Sequence, residues 1–156
     1  MNQLKNYRPN VAAVILSSKY PNSCEIMMCQ RNDLHDIWQF PQGGIDEGES
    51  PKVALLRELK EEIGTDDVQI LSEHPEWLSY DFPEHIKDKM KPFDGQKQKY
   101  FLVKLNKSAK INLTTEVPEF DDYKFEKTKD IIKNSAHFKK HIYKKVLNYF
   151  RKDGYL

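Results

Sequence analysis

Glu58, Glu61 and Glu62 crowd three carboxylates into five residues, behind a glycine-rich stretch that reads GGIDEGESPKVALLRELKEEIGT from Gly43 to Thr65. On a helix, residues three and four apart share a face, so these side chains project together about one turn apart. Left unneutralised they repel: at ~4 Å and an effective dielectric of ~20, each like-charged pair costs roughly 4 kcal/mol. Arg57 supplies one positive charge against three. The cluster therefore implies a divalent cation or several further basic groups among the carboxylates. All-oxygen ligation with water completing the shell suits Mg²⁺ or Mn²⁺, ions that usually arrive with substrate phosphates. The competing reading is an ordinary solvated helix face rich in glutamate.

Gly43, Glu49, Arg57, Glu58, Leu59, Glu61, Glu62 and Gly64 stand at the spacing Gx5Ex7REUxEExGU, with Thr65 where that pattern takes an aliphatic residue. On these residues the chain resembles the Nudix hydrolases, whose loop and helix bind metals that activate water against a diphosphate linkage. Eight positions at fixed spacing separate the match from a generic acidic helix. The resemblance implies an α+β fold, a Nudix α/β/α sandwich with a mixed sheet between helices. It implies Glu58, Glu61 and Glu62 as ligands of two or more Mg²⁺ or Mn²⁺ ions, with Arg57 and Glu49 as the pair that orients them. It also implies Glu119, in Pro118-Glu119-Phe120, as a fourth metal carboxylate, and a main-chain carbonyl near Gln42.

Segments outside the signature narrow the substrate. YRPNV (Tyr7 to Val11), WQFPQGG (Trp38 to Gly44), GQKQKYFL (Gly95 to Leu102), PEF and FKKHIYKKV (Phe138 to Val146) resemble the bacterial RNA 5′ pyrophosphohydrolases. Those enzymes act on the 5′ triphosphorylated or diphosphorylated end of RNA and overlap in sequence with diadenosine tetraphosphate hydrolases. The resemblance leaves two further readings open: a dinucleoside polyphosphate hydrolase using the same site, and a non-catalytic RNA-binding protein on the same fold. Arg8 is a planar donor suited to gripping phosphate oxygens, and Gly43 and Gly44 stand with it among the expected substrate contacts. Strand alternation sends Lys97, Lys99 and Phe101 to one side and Gln96, Gln98, Tyr100 and Leu102 to the other, which by itself reads equally as a half-exposed strand; it is the resemblance of the motif that implies Lys97 and Lys99 as paired cations for the polyphosphate. Arg31 is the cation expected along the RNA strand. Phe138, Lys139 and Lys140 could stack on and contact the leading bases, aromatic stacking contributing ~1 to 3 kcal/mol per base. Tyr80 reads equally as base platform or pocket wall, whereas Trp38, Phe40 and Trp77 read as core or pocket wall.

At 156 residues the chain is expected to form one domain, 1–156. The net charge of +1 conceals an uneven distribution, because Lys124 to Lys152 carries ten Lys or Arg against only Glu126 and Asp130. A basic flank beside a metal-loaded acidic centre favours a polyanionic substrate, the bland reading being a solvated lysine-rich helix. The longest apolar run, Val11 to Leu16, is too short to cross a bilayer, and the polar start does not read as a secretory signal. Cys24 and Cys29 lie five apart in one expected strand and so point to opposite faces, which argues against a mutual disulfide. A cytoplasmic protein with no membrane partner is expected. No histidine is spaced with a serine or cysteine for nucleophilic catalysis.

Strands are expected at Val11 to Ser17, Cys24 to Arg31, Val68 to Ser72, Trp77 to Tyr80, Gln98 to Leu105 and Tyr123 to Glu126, the first two as partners. Ser50 followed by Pro51 starts a helix that ends at Gly64. Its residues Val53, Leu56, Leu59 and Ile63 are expected to pack on the sheet and leave the carboxylates on the opposite side. Pro83 to Gly95 reads as a long polar loop of the kind that often carries function. Ser135 to Arg151 is expected as the last helix, with Phe138, Ile142, Val146 and Tyr149 on its apolar face.

Overall fold

The computed structural model describes residues 4–33, 36–135 and 139–156. In chain order its elements are β1 (Tyr7–Leu16), β2 (Ile26–Arg31), β3 (Trp38–Gln39), β4 (Gln42–Gly44), α1 (Pro51–Ile63), β5 (Val68–Glu73), β6 (Leu78–Asp81), α2 (Glu84–Lys87), β7 (Gly95–Leu105), β8 (Phe120–Glu126), α3 (Thr128–Asn134) and α4 (Lys140–Lys152). The strands form one mixed sheet in the order β3-β2-β1-β7-β5, with β4 also on β1, β6 on β7 and β8 on β2. Central β1 runs parallel to β7 from Tyr7↔Gly95 to Leu16↔Lys104. Its residues alternate between two cores: Val11, Ala13 and Ile15 join Leu55, Leu59 and Ile63 of α1, while Ala12, Val14 and Leu16 join Ile142, Tyr143, Val146 and Phe150 of α4. Burial on both faces explains why Val11 to Leu16 is uninterruptedly apolar. The result is the expected sheet between helices.

Helix α1 begins and ends where the sequence predicts. The Ser50 hydroxyl accepts the Val53 N–H at 3.3 Å, and Gly64 closes the helix at φ 77°, a left-handed conformation that glycine adopts without strain. Thr65, the departure from the signature, is buried, and its hydroxyl accepts the Asp67 N–H at 3.0 Å. The phase of the helix differs from expectation. Ala54, Leu55, Leu59, Glu62 and Ile63 face inward and Val53 is 56% exposed, so Glu62 shares the core stripe instead of standing on the opposite face. Leu55, Leu59 and Glu62 fall at i, i+4 and i+7, which places the carboxylates on the margin between core and solvent.

Other elements shift for tertiary reasons. Only Leu16↔Ile26 pairs β1 with β2, because β4 occupies that edge of β1 at Asn10 to Ala12; β2 runs instead along β8. Cys24 precedes β2, and both cysteines are free thiols. Of the expected last helix, Ser135 to Arg151, the described part is α4 from Lys140, while α3 precedes it over residues where no helix is expected from the sequence, and Phe138 lies outside the described residues. Trp77 is 43% exposed rather than core. Among the described residues no helix is long and apolar enough to cross a membrane.

Candidate metal and phosphate cleft

The end of α1, the β4 strand and the segment before β8 converge on a cleft with two adjoining lobes of about 450 and 420 Å³, both lined by Glu58, Glu61, Glu62 and Glu119. The second lobe adds Arg8 from β1, Arg31 from β2, Gln42, Gly43 and Gly44 from β4, and Gln96 from β7. Acid and base therefore share one opening. β4 can lie directly against α1 because Gly43 has no side chain: a methyl there would overlap the Glu58 carboxylate, and one on Gly44 would strike the Arg8 guanidinium.

Arg57 organises the acidic wall. Its Nε and Nη2 donate to the two Glu49 oxygens at 2.7 and 2.8 Å, Nη1 donates to Glu58 at 2.8 Å and Glu61 at 3.1 Å, and Nη2 also reaches the Gly44 carbonyl at 2.9 Å. One planar fork thus ties the loop, the helix and β4 together, as only a guanidinium can. Glu49 also accepts the Asp46 N–H at 2.8 Å; the Arg57 bond foremost, with this one, lowers its pKa to about 2. Glu58 is pushed upward by burial, against the pull of Arg57. Glu62 accepts the Gln42 N–H at 3.1 Å, and burial, then hydrogen bonding with Glu119, pushes its pKa well up. Glu119 is held in place by the residue after β2: the Asn32 N–H donates to its carbonyl at 2.9 Å, and the Asn32 amide donates to the Pro118 carbonyl at 2.8 Å.

This donor set fits a hard divalent cation. Glu62 and Glu119 line the same cleft, and Glu62, raised by burial first, is raised further by the Glu119 carboxyl, a repulsion that a cation would relieve; every carboxylate on offer is an oxygen donor. Among the described residues no three acidic, His or Cys side chains converge on one point, since Glu58 and Glu61 turn to Arg57 while Glu62 turns to Gln42 and Glu119.

Beneath the cleft lies a buried polar chain. Tyr100 donates to Gln98 at 2.7 Å, Gln98 donates to Asn10 at 2.9 Å and to Gln42, and Tyr80 donates to Gln96 at 3.0 Å. Tyr80 is thus floor rather than open platform, with the Lys139 ammonium 5.5 Å from its ring centroid. Burial foremost, then the Arg31 charge, lowers Lys139 to about 7. Arg31 is held flat by a two-pronged pair with Asp33 at 2.9 and 2.7 Å.

Lys97 and Lys99 do not line this cleft. The β1–β7 register sets Arg8 beside Gln96 and Pro9 beside Lys97, so the glutamines share the face of Arg8 and the lysines share that of Phe101. Their ammoniums lie 5.5 and 5.9 Å from the Trp77 ring centroid, and Lys99 is 3.7 Å from Glu73. The alternation itself is as expected; the face that meets the cleft is the glutamine one. Lys140 opens α4 and is not among the lining residues either. Asn10, Asn32, Gln96, Gln98 and Met90 were not legible as site residues. Polar residues inside apolar strand runs, Asn10 and Gln98, were the one available signal.

A sheet between helices, with an arginine-clamped acidic helix behind a glycine strand, defines a phosphoanhydride hydrolase of the Nudix type. Residues 6–146 match the NUDIX domain, and the chain belongs to the Nudix family, whose members generally use divalent metal ions. It is similar to a protein named RNA pyrophosphohydrolase from Campylobacter jejuni, 62% identical over 100% of both chains. A protein of the same name from Nitratiruptor sp. is 63% identical over 97% of each. Among solved structures, a C. elegans Ap4A hydrolase binary complex superposes with a TM-score of 0.69 at 22% identity, covering 93% of this chain and 98% of that one, a likeness of fold.

Proposed function

We infer that this chain hydrolyses a phosphoanhydride at the 5′ triphosphorylated or diphosphorylated end of RNA, leaving a 5′ monophosphate. The observation that carries this reading is the single cleft in which four carboxylates face Arg8 and Arg31. Full-length relatives named RNA pyrophosphohydrolase support it. Two or more Mg²⁺ or Mn²⁺ ions would be held by Glu58, Glu61, Glu62 and Glu119, with the Gln42 carbonyl nearby. When bound, such ions neutralise polyphosphate charge and acidify water.

The chain's own residues supply the rest. Arg57 and Glu49 fix the acidic wall so that little reorganisation accompanies reaction. Arg8 grips phosphate oxygens across Gly44, where the absent side chain permits close approach. A cleft carboxylate accepts the proton of the attacking water. Arg31 takes the nucleotide side of the substrate, with Lys139 buried behind the Tyr80 floor and Phe138 and Lys140 as the expected contacts farther along the strand. Free thiols at Cys24 and Cys29 support a reducing compartment, and we place the reaction in the cytoplasm.

The deciding experiment compares kcat/KM for a short 5′ triphosphorylated RNA with that for diadenosine tetraphosphate at equal magnesium. RNA is expected to be preferred by more than about tenfold, a difference of about 1.4 kcal/mol in transition-state binding. A preference for the dinucleotide would reassign the site to dinucleoside polyphosphates. No phosphate release from either would leave a non-catalytic RNA-binding protein.

A further inference from the structure

The segment between β6 and β7, which the sequence marks as a long polar loop, brings one apolar side chain into the cleft. After α2 the chain makes two tight turns, Met90 N–H to the Lys87 carbonyl at 3.2 Å and Phe93 N–H to the Met90 carbonyl at 2.9 Å. The loop is then tied down at its base, where the Asp94 N–H donates to Asn6 at 2.8 Å and the Phe82 N–H donates to Asp94 at 2.9 Å. Met90 is thereby held half-buried, its inner side against the α4-side core and its outer side in the lobe that holds Arg8, Arg31 and Glu119. Arg31 and Asp33 line the same lobe, which places Met90 and that ion pair around one space.

Apart from Pro118 and the glycines, every other residue lining that lobe is polar or charged. A polyphosphate gains nothing from a thioether, which is poorly hydrated and cannot donate a hydrogen bond. An aromatic base does gain, because methionine sulfur is polarizable and adapts to a ring edge or face. The loop's turns also fix Met90 before any ligand arrives, so little ordering cost attends its contact.

We propose that Met90 is a specificity-determining residue: together with Pro118 it forms the apolar seat for the nucleobase adjoining the 5′ polyphosphate. This rests on the reading of the chain as an RNA end hydrolase and names the part of the substrate that the phosphate-binding groups cannot recognise. Base identity is read weakly, since a thioether meets the ring of any base.

The test compares two 5′ triphosphorylated RNA oligomers, identical except that one lacks the base on its first nucleotide. Wild-type protein favours the base-bearing oligomer in KM, with similar kcat for both. Met90→Ala reduces that preference by about five- to tenfold, in line with thioether–aromatic contacts, whereas Met90→Leu keeps most of it. The ratio of the two oligomers, not either rate alone, reads the base contact: Met90→Ala slows the base-bearing oligomer more than the abasic one, whereas a merely structural role for Met90 would slow both alike. If Met90→Ala retains the wild-type preference, or slows both oligomers equally, the assignment is overturned while the RNA reading stands. If the wild-type protein releases phosphate from neither oligomer, the RNA reading fails and the base seat fails with it.

Discussion

Two walls of the same cleft are held in different ways. On the acidic wall, Arg57 bonds to Glu49, Glu58, Glu61 and the Gly44 carbonyl, and all of these lie within a stretch of twenty residues. On the recognition wall, Arg8, Arg31, Met90 and Gln96 come from separate parts of the chain and meet only because β1, β2 and β7 are neighbours in the sheet. The first wall depends on local geometry that one helix and one loop can set. The second depends on strand register, in which a shift of one residue would exchange Gln96 for Lys97. Chemistry that must be placed within tenths of an ångström sits on the locally determined wall, while selectivity sits where segments far apart in sequence can vary independently.

The largest expected effect breaks the acidic wall without disturbing its support. Glu61 is the most exposed of the three helix carboxylates, with 58% of its side chain open to solvent, and its bond to Arg57 is one of several that Arg57 makes. Glu61→Gln should therefore lower kcat for triphosphorylated RNA by about 10²- to 10³-fold, the scale of losing one preorganised electrostatic group. Its melting temperature should stay within about 3 °C of wild type, as for a surface substitution. Steady-state kinetics and a thermal melt on the same preparation check both. Near-normal turnover would remove Glu61 from the mechanism.

The same contrast explains what was legible in the sequence. Ser50, Pro51, Gly64 and the carboxylate spacing are local signals, and they fixed α1 to the residue. The inward phase of α1 was missed because Val53 and Leu56 are as apolar as Leu55 and Leu59; only the sheet decides which of them it covers. The alternation of β7 was also readable, but not which of its faces meets Arg8, since that follows from a parallel pairing with a strand nearly ninety positions away. Met90 and Asn32 gave no signal at all. Each acts through contacts that exist only after the loops have closed.

A smaller effect sharpens the comparison. Lys97→Ala and Lys99→Ala, singly or together, should change kcat/KM for triphosphorylated RNA by less than about twofold, worth ~0.4 kcal/mol. Both ammoniums are placed on the Phe101 face beside Trp77. Arg8→Ala, measured in parallel, should raise KM clearly. A tenfold loss on removing either lysine would mean that the lysine face reaches the phosphates and that the glutamine face does not define the recognition wall.

The smallest expected effect concerns how firmly the acidic wall is clamped as pH falls. Glu49 has its pKa lowered from 4.5 to about 2, first by its bond to Arg57 and then by the Asp46 N–H. Between those values the unfolded chain binds a proton at Glu49 that the folded chain does not, so stability in this window rises with pH. The contribution is complete above about 4.5 and is lost as pH falls toward 2. Thermal melts of wild type and Glu49→Gln should accordingly differ by a constant amount from pH 7 down to the ordinary glutamate range, with wild type the higher, and the gap should close on further acidification. The absence of any gap at pH 7 would show that Glu49 is not held by Arg57 in solution. The clamp on the acidic wall would then be weaker than the contacts on the recognition wall, and the contrast between the two walls would reverse.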